Sequence, residues 1–253
     1  ETLNLDFRTP TSLKGNKEEF KYFKSIDADL AIVVAYGQII PKEFLNLTKK
    51  GFINIHASLL PKWRGAAPIQ RAIMNGDKKI GVSIMKIKEK LDSGPVLISK
   101  EIELDQNATH GEMEKKLSLM GADLLIDSLK NAEASTSKFI DQEHSEATYA
   151  KKIDKSETKI NWNQDSNKVL SHIHGLSPNP GAWFQFENER FKVLRAKTSR
   201  LNGTSSSVLD ENLTIACKSN SIQILELQKQ GKKKQTVKEF LLGCKINKGT
   251  ILV

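Results

Sequence analysis

Asn54 and His56 are the first pair of side chains in this 253-residue sequence that could carry out chemistry. They close the apolar run Phe52–His56, and the alternation of side chains along a strand would place both on one face. Open α/β sheets bind their ligands at the carboxyl ends of the strands, where this pair would lie. An amide that hydrogen-bonds and an imidazole that exchanges protons near neutral pH would then share one crevice. The alternative is that both side chains only hydrogen-bond the following loop.

The segment after His56 is unusual for a surface connection. It contains SLLP at 58–61 and WRGAAP at 63–68, which mix apolar, basic and small residues where a solvated loop would be mostly polar. Ser58 is a weak candidate for a nucleophile because no glycine-flanked elbow surrounds it. The composition instead favours a loop that contacts a ligand.

Metal and disulfide chemistry are not indicated. His172 and His174 form an H-x-H pair, but residues i and i+2 of a helix face different directions and cannot chelate one metal. Cys217 and Cys244 lie far apart in the sequence without a metal-ligand spacing, which is typical of reduced thiols in a cytosolic protein. We therefore expect no metal.

The elements that would position Asn54 and His56 alternate between strand and helix. Leu30–Tyr36 is a short unbroken apolar run, as expected for a strand buried on both faces, and Phe52–His56 is a second. The pattern also predicts helices at 17–26, 41–47, 67–74 and 111–130, and strands at 82–87 and 96–102 around a turn at 91–95. This alternation predicts an α/β fold, with a partial Rossmann-like parallel sheet in residues 1–138.

The rest of the chain differs in pattern and in charge. Residues 139–154 are polar without a clear apolar period and are predicted as a linker. Residues 155–253 hold helices at 166–174 and 236–242 and short strands at 182–186, 190–196, 208–217 and 222–227, which favour a smaller OB-like β-barrel. The net charge of +9 lies entirely after residue 150, where 18 Lys and Arg face 9 Asp and Glu. A localised positive field favours binding to nucleic acid or to a membrane surface. A solvated lysine-rich surface without such a partner would give the same excess of Lys and Arg.

Longer motifs connect these features to a known family. The stretch Asn54–Ile73, with SLLP at 58–61 and WRGAAPIQRAI at 63–73, resembles the signature of the folate-dependent formyltransferases, and in particular of their methionyl-tRNA formyltransferase branch. LDSGPVL at 91–97, TYAKKI at 148–153 and NPGAW at 179–183 continue the similarity. The resemblance therefore covers nearly the whole chain and both predicted domains.

The resemblance implies an activity and a catalytic set. A formyl group would pass from 10-formyltetrahydrofolate to the free amino group of methionyl initiator tRNA. Asn54 would hold the formyl oxygen, and His56 would stabilise the oxyanion and help to move protons. Asp92 would orient His56 and favour its protonated form through its negative charge.

The resemblance also implies where the two substrates bind. The folate site would be lined by Ser58, Leu59, Leu60 and Pro61. Arg64 would lie near the 3′ end of the tRNA or its phosphates, unless it is a solvated surface arginine. The C-terminal domain would bind tRNA through phosphate contacts. The lysine run at 232–234 would contact phosphate or form a solvated charge run.

Three other functions stay open at the level of sequence. A formyltransferase acting on a sugar nucleotide or on glycinamide ribonucleotide would share the chemistry but need no basic second domain. A formyltetrahydrofolate hydrolase would use water in place of the amine. A chain that only binds RNA is the alternative outside these enzymes, because the β-α-β unit and basic loop that begin the family's first domain are not found before Leu30.

The start of the sequence favours an incomplete first domain. The chain opens with Glu1, and Leu3, Leu5 and Phe7 alternate with polar residues as in an edge strand. A sheet without its first strands would have an unpaired edge and an uncovered apolar face. No run approaches the roughly 18 to 20 apolar residues of a membrane span, and the first residues have no targeting pattern. We expect a cytoplasmic enzyme, a monomer, with no membrane and no stable protein partner.

Overall fold

A mixed sheet organises the first half of the chain in the computed structural model, which describes residues 3, 5–133 and 138–252. The elements of this half, in chain order, are α1 (Lys17–Ser25), β1 (Ala31–Val34), α2 (Lys42–Leu45), β2 (Phe52–His56), β3 (Arg64–Gly65), α3 (Pro68–Asn75), β4 (Lys79–Lys86), β5 (Val96–Glu103) and α4 (His110–Glu133). The sheet has the strand order β1-β2-β4-β5. The predicted helices and the strands of this sheet are confirmed to within a few residues at each end.

Only part of this sheet is parallel. β1 and β2 run parallel, with Ala31 opposite Phe52. β4 runs antiparallel to β2. β5 runs antiparallel to β4, because these two strands form a hairpin around the turn that contains Asp92. The predicted Rossmann-like α/β fold is confirmed, with a parallel pair of strands extended by an antiparallel hairpin.

β1 differs from its prediction. We expected both of its faces to be buried, and this is wrong, because Ile32 and Val34 are 45% and 58% exposed. β1 is the outer strand of the sheet, and no described element covers the face on which these two side chains lie. An unbroken apolar run indicates a buried strand only where both faces of the sheet are covered.

The predicted edge strand at Leu3, Leu5 and Phe7 is also wrong for the described residues. Residues 5–10 form no strand, and the side chains of Leu5 and Phe7 are exposed. Glu1, Thr2 and Asn4 lie outside the described residues. Alternation over so few positions does not fix a strand that has no partner to pair with.

α4 packs against the sheet, and α3, which follows the loop of the candidate site, shares the same apolar cluster. α3 begins with Pro68 in its first turn and is capped at its C-terminus by Gly76, whose φ of +77° requires the freedom of glycine. α4 lies against β4 through an apolar cluster that includes Val82 and Leu117. The loop between β2 and α3 therefore runs from a strand of the sheet to a helix that shares this cluster.

The predicted linker is held to the first half by backbone hydrogen bonds. Ile140 exchanges two backbone hydrogen bonds with Val96. Further on, β6 (Tyr149–Ala150) pairs in parallel with β3. We call residues 138–150 the strap. Residues 134–137 lie outside the described residues, and the domain boundaries near 138 and 155 stay predictions.

The second half of the chain is an antiparallel sheet with two helices. Its elements after the strap are α5 (Ser166–Leu176), β7 (Ala182–Phe186), β8 (Glu189–Ser199), β9 (Thr214–Ala216), β10 (Ser221–Lys229), β11 (Gln235–Thr236) and α6 (Val237–Gly243). The strands pair in the order β11-β10-β8-β7, and β9 pairs with β10. The predicted second, mostly β domain is confirmed, whereas its closure into an OB-like barrel stays a prediction.

One strand of this half was predicted too long. The expected strand at 208–217 is wrong, because its middle turns instead of extending. Asp210 accepts hydrogen bonds from the backbone N of Asn212 and Thr214, and Leu213 has a φ of +56°. Only β9 remains a strand.

A single apolar cluster fills the second half. It joins α5, α6 and the sheet, and its central side chains include the fully buried Phe184 and Phe191, whose rings stack at 5.6 Å. The N-terminus of α6 has a capping box in which Thr236 and Glu239 satisfy each other's backbone N–H groups. Among the described helices, none is long and apolar enough to cross a membrane.

Candidate active site

His56 lies at the carboxyl end of β2, where its ring contacts two loops. The residue is 6% exposed. Its Nε2 is 3.0 Å from the backbone oxygen of Trp63, and its Nδ1 is 3.8 Å from Oδ2 of Asp92. Because a carbonyl oxygen only accepts, Nε2 carries the hydrogen of the first bond. The imidazole is thus held between a backbone acceptor on one side and a carboxylate on the other.

Asn54 lies two residues earlier on β2 and therefore on the same face as His56. It is half-buried, and its amide makes no side-chain hydrogen bond within the described ranges. An amide in this position can both donate to and accept from a ligand. The predicted juxtaposition of Asn54 and His56 follows from the strand, and their roles stay predictions.

Asp92 joins the turn between β4 and β5 to the loop after β2. Its Oδ2, the oxygen nearest to His56, accepts a hydrogen bond of 2.8 Å from the backbone N of Gly65. The φ of Asp92 is +45°, a left-handed conformation that is uncommon outside glycine. The structure therefore brings all three predicted catalytic side chains to one edge of the sheet.

The SLLP loop is held by the hydroxyl groups of two serines. Ser58 Oγ donates to the backbone oxygen of Lys62 at 2.6 Å, which closes the loop on itself. Ser83 Oγ donates to the backbone oxygen of Ser58 and accepts from the backbone N of Leu60. Ser58 is buried and its hydroxyl is committed to the loop, which fits a structural role and not that of a nucleophile.

The SLLP loop offers apolar surface to a ligand. Its three residues after Ser58 are all half-buried; they are Leu59, Leu60 and Pro61. Leu59 packs over the backbone of Gly81 in β4, where a Cβ would lie 2.5 Å from its side chain. This arrangement suits the flat ring system of a folate, and the placement of the folate here stays a prediction.

Arg64 is not a solvated surface arginine, which was one of the two predictions for it, because the residue is 3% exposed. Its predicted position near the 3′ end of the tRNA stays a prediction. Its Nε and one Nη donate to Oε1 of Gln142, and the same Nη donates to Nδ1 of His144. These partners follow Arg64 by 78 and 80 residues, so its local sequence did not indicate its burial.

The strap supplies the residues that the sequence analysis missed. Gln142 is buried, and Nε2 of its amide donates to the backbone oxygens of Asp92 and Gly94. Thr148 Oγ1 accepts from the backbone N of Trp63, and its backbone oxygen accepts from the N of Arg64. The TYAKKI motif at 148–153 was the available signal, but it did not show that the strap lies against the catalytic loops.

The other histidines have structural surroundings. His172 Nε2 donates to the backbone oxygen of Glu157, and Nε2 of the fully buried His174 accepts from the backbone N of Ala196. Burial lowers the pKa of both imidazoles.

Among the described residues there is no group of three or more His, Cys, Asp and Glu side chains that would hold a metal ion. Burial likewise raises the pKa of the Cys217 thiol to about 12, so it is unreactive at neutral pH.

Basic side chains lie along the sheet of the second half. The Arg190 guanidinium stacks over the ring of Trp183 at 3.8 Å. Lys232 and Lys233 are exposed at the turn before α6, and Lys234 pairs with Glu226 at 3.4 Å. These cations form an exposed basic surface, and their contact with phosphate stays a prediction.

Two family models match the chain. The model described as formyl transferase matches residues 8–129, and the model described as formyl transferase, C-terminal domain, matches residues 152–245. The first match contains Asn54, His56 and Asp92, and the second contains most of the C-terminal sheet.

Relatives and solved structures agree with these matches. A methionyl-tRNA formyltransferase of Pelagibacter ubique strain HTCC1062 is 51% identical over 99% of this chain and 81% of its own length. A structure of the methionyl-tRNA formyltransferase of Clostridium thermocellum has a TM-score of 0.60, is 25% identical, and covers 72% of this chain and 78% of that one. HypX of Aquifex aeolicus, solved with tetrahydrofolic acid, shares the fold, with a TM-score of 0.68 at 22% identity over 92% of this chain and 43% of its own.

Proposed function

The chain belongs to the methionyl-tRNA formyltransferase family, and we propose that Asn54, His56 and Asp92 carry out its formyl transfer. The enzyme formylates the amino group of methionyl initiator tRNA. The family takes its formyl group from a folate derivative. We propose that the donor here is 10-formyltetrahydrofolate and that it binds along the SLLP loop, residues 58–61.

The reaction needs a group that stabilises negative charge and a group that moves a proton. The amino nitrogen attacks the formyl carbon, a C–N bond forms, and the formyl oxygen becomes an oxyanion. Collapse of this intermediate breaks the bond to N10, and the proton lost by the amine is needed on that leaving nitrogen. Both events occur within reach of a few side chains at the edge of the sheet.

The side chains on β2 fit these two needs. The Asn54 amide is free to donate to the formyl oxygen, and an aligned donor of this kind is worth roughly 10²- to 10³-fold in rate. His56 donates at Nε2, and binding of the oxyanion there would replace its present bond to the Trp63 oxygen. Asp92 faces the opposite nitrogen of the ring, so a second proton on Nδ1 would have an adjacent negative charge.

The single observation that carries this proposal is the 3.8 Å approach of the Asp92 carboxylate to a buried His56 at the end of a strand. A histidine that only supported the loop would need the Trp63 oxygen and not the carboxylate. Because the Asp92 carboxylate lies beside Nδ1, the ring nitrogen that does not face Trp63, the pair of His56 and Asp92 is suited to moving a proton.

Recognition of the tRNA is assigned to the second half of the chain. We propose that its basic surface contacts phosphates, because the whole excess of positive charge lies there. A formyltransferase of small amines or a hydrolase would gain nothing from such a surface. We place the reaction in the cytoplasm, where charged tRNA is used, with the enzyme acting as a monomer.

The test is an assay of formyl transfer from 10-formyltetrahydrofolate to charged initiator tRNA, with formate release followed in parallel. His56→Ala and Asp92→Asn are each expected to lower kcat by at least about 10²-fold. Asp123→Asn, an exposed carboxylate on α4, is the matched control and should act like the wild type. A variant of His56 or Asp92 that stays within a few-fold of wild type would remove that residue from the mechanism, and release of formate without transfer would indicate the hydrolase.

A further inference from the structure

Gln142 connects the two loops that carry the proposed catalytic site. Its Nε2 donates to the backbone oxygen of Asp92 at 2.9 Å and to that of Gly94 at 2.7 Å. Its Oε1 accepts from Nε of Arg64 at 3.1 Å and from an Nη of Arg64 at 2.7 Å. The residue is 8% exposed, so these bonds are shielded from water and are not readily replaced by it.

These bonds close a ring around the site. Arg64 is followed by Gly65, whose backbone N donates to the carboxylate of Asp92. The backbone of Asp92 in turn accepts from Gln142, which accepts from Arg64. The side chain and the backbone of Asp92 are therefore both held by neighbours that are themselves connected.

The two loops need such a constraint because their backbones are unusual. Asp92 has a φ of +45° and Gly65 a φ of +124°. A non-glycine residue in the left-handed region persists only where its surroundings determine it. Without Gln142, the turn that carries Asp92 would lose two hydrogen bonds, and the bond from Gly65 N to the Asp92 carboxylate would be left to join it to the loop opposite.

We propose that Gln142 is a positioning residue for formyl transfer, which sets the Asp92 carboxylate against His56 by joining the turn of Asp92 to the loop of Arg64 and Gly65. The inference rests on the proposed role of Asp92. The hydrogen-bond partners of Gln142 are Arg64 and the backbone oxygens of Asp92 and Gly94, so its effect passes through Asp92. The buried guanidinium of Arg64, which hydrogen-bonds to Gln142 and His144, is part of the same support.

Gln142→Glu is the sharpest variant because it preserves the shape of the side chain. A carboxylate still accepts from Arg64 and gains an ion pair, but it has no hydrogen for the oxygens of Asp92 and Gly94. Its charge would then face two carbonyl oxygens. We expect kcat for formyl transfer to fall about 10- to 100-fold, as small displacements of catalytic groups cost, with KM for the folate within about threefold. Gln106→Glu, the same change at an exposed position, should leave kcat unchanged.

A double-mutant cycle separates positioning from general damage. If Gln142 acts through Asp92, Gln142→Glu should lower kcat by less than about threefold when Asp92→Asn is already present, because the carboxylate that it positions is gone. A structural role would instead lower kcat by the same factor in both backgrounds. Thermal unfolding of each variant is the check that its fold is retained. Gln142→Ala serves as a second probe if the glutamate variant does not fold.

The outcomes separate a failure of the proposed role of Gln142 from a failure of the proposed catalytic site. Collapse of Asp92→Asn together with a folded Gln142→Glu variant within threefold of wild type would overturn the role of Gln142 and leave the site standing. Additive losses in the double variant would overturn it as well, as would a rise in KM with kcat unchanged. Activity close to wild type in Asp92→Asn would overturn the proposed site first.

Discussion

The two halves of the chain are stabilised in different ways. In the second half one continuous apolar cluster joins two helices to an antiparallel sheet, with rings such as Phe184 at its centre. In the first half the apolar residues divide into two smaller clusters, and the outer strand leaves Ile32 and Val34 exposed. Around the candidate site, hydrogen bonds between buried polar groups hold the loops together. The half proposed to bind tRNA by charge has one continuous apolar core, and the half proposed to carry out chemistry depends on a polar network.

The largest effect should come from the core of the second half. Phe184→Ala removes a fully buried ring that stacks on Phe191 and is expected to lower the free energy of unfolding by about 3 to 5 kcal/mol. Val34→Ala in β1 should lower it by no more than about 0.5 kcal/mol, because the side chain is already exposed. Denaturant unfolding followed by circular dichroism measures both. Similar losses in the two variants would remove the contrast between the halves.

The next largest effect should come from the backbone of the active-site loop. A Cβ on Gly65 would lie 2.6 Å from the backbone oxygen of Ala150, and φ there is +124°. Gly65→Ala should therefore push β3 away from the strap, weaken the bond to Asp92 and lower kcat about 10²-fold. Gly243→Ala at the end of α6 has open space and no positive φ, and should leave kcat unchanged. An active Gly65→Ala enzyme would show that the loop geometry is not needed.

The charged surface of the second half should affect binding and not chemistry. Lys232→Gln with Lys233→Gln is expected to raise KM for tRNA about tenfold at low salt. The same change should flatten the salt dependence by about one unit of log–log slope for each phosphate that the protein no longer neutralises. The control is Lys115→Gln with Lys116→Gln on α4, two exposed lysines in the neutral half. Equal effects of the two pairs would mean that the charge acts non-specifically.

The smallest effect should come from the ion pair that ties α3 to the segment after the strap. The hydrogen bond from Arg71, with further help from the backbone of Asp154, lowers the pKa of Glu157 to about 2. Because this value is below the ordinary 4.5, the pair adds stability above about pH 4.5 and loses it as the pH falls toward 2. Glu157→Gln should lower Tm by on the order of a few °C at pH 7, since the pair is partly exposed. Thermal scans should show the difference from wild type shrinking over that pH range, and a difference that grows there would contradict this assignment.

The sequence indicated the elements that depend on local patterns. Period and capping signals located α3 and α4, and strand alternation placed Asn54 and His56 on one face of β2. The resemblance added Asp92, whose turn the pattern had already located. These features depend on neighbours within a few residues, which a single sequence displays directly.

The features that the sequence did not indicate depend on distant partners. Arg64 is buried because Gln142 and His144 reach it from the strap, about 80 residues away in the chain. Gln142 lies in a polar stretch whose composition indicates solvent exposure, although the residue is buried. The prediction for Ile32 and Val34 was wrong in the opposite direction: burial was expected, but both side chains are exposed. An apolar run does not reveal whether a face of the sheet is covered.

We propose that the first half carries out formyl transfer and that the second half binds tRNA. A single-turnover measurement of formyl transfer with saturating tRNA tests this division, using Asp92→Asn beside the Lys232→Gln and Lys233→Gln double variant. We predict that Asp92→Asn lowers the rate of transfer by at least about 10²-fold with the affinity for tRNA unchanged, and that the lysine variant transfers at the wild-type rate once tRNA is saturating. Loss of tRNA affinity in Asp92→Asn with a normal rate of transfer would contradict this division.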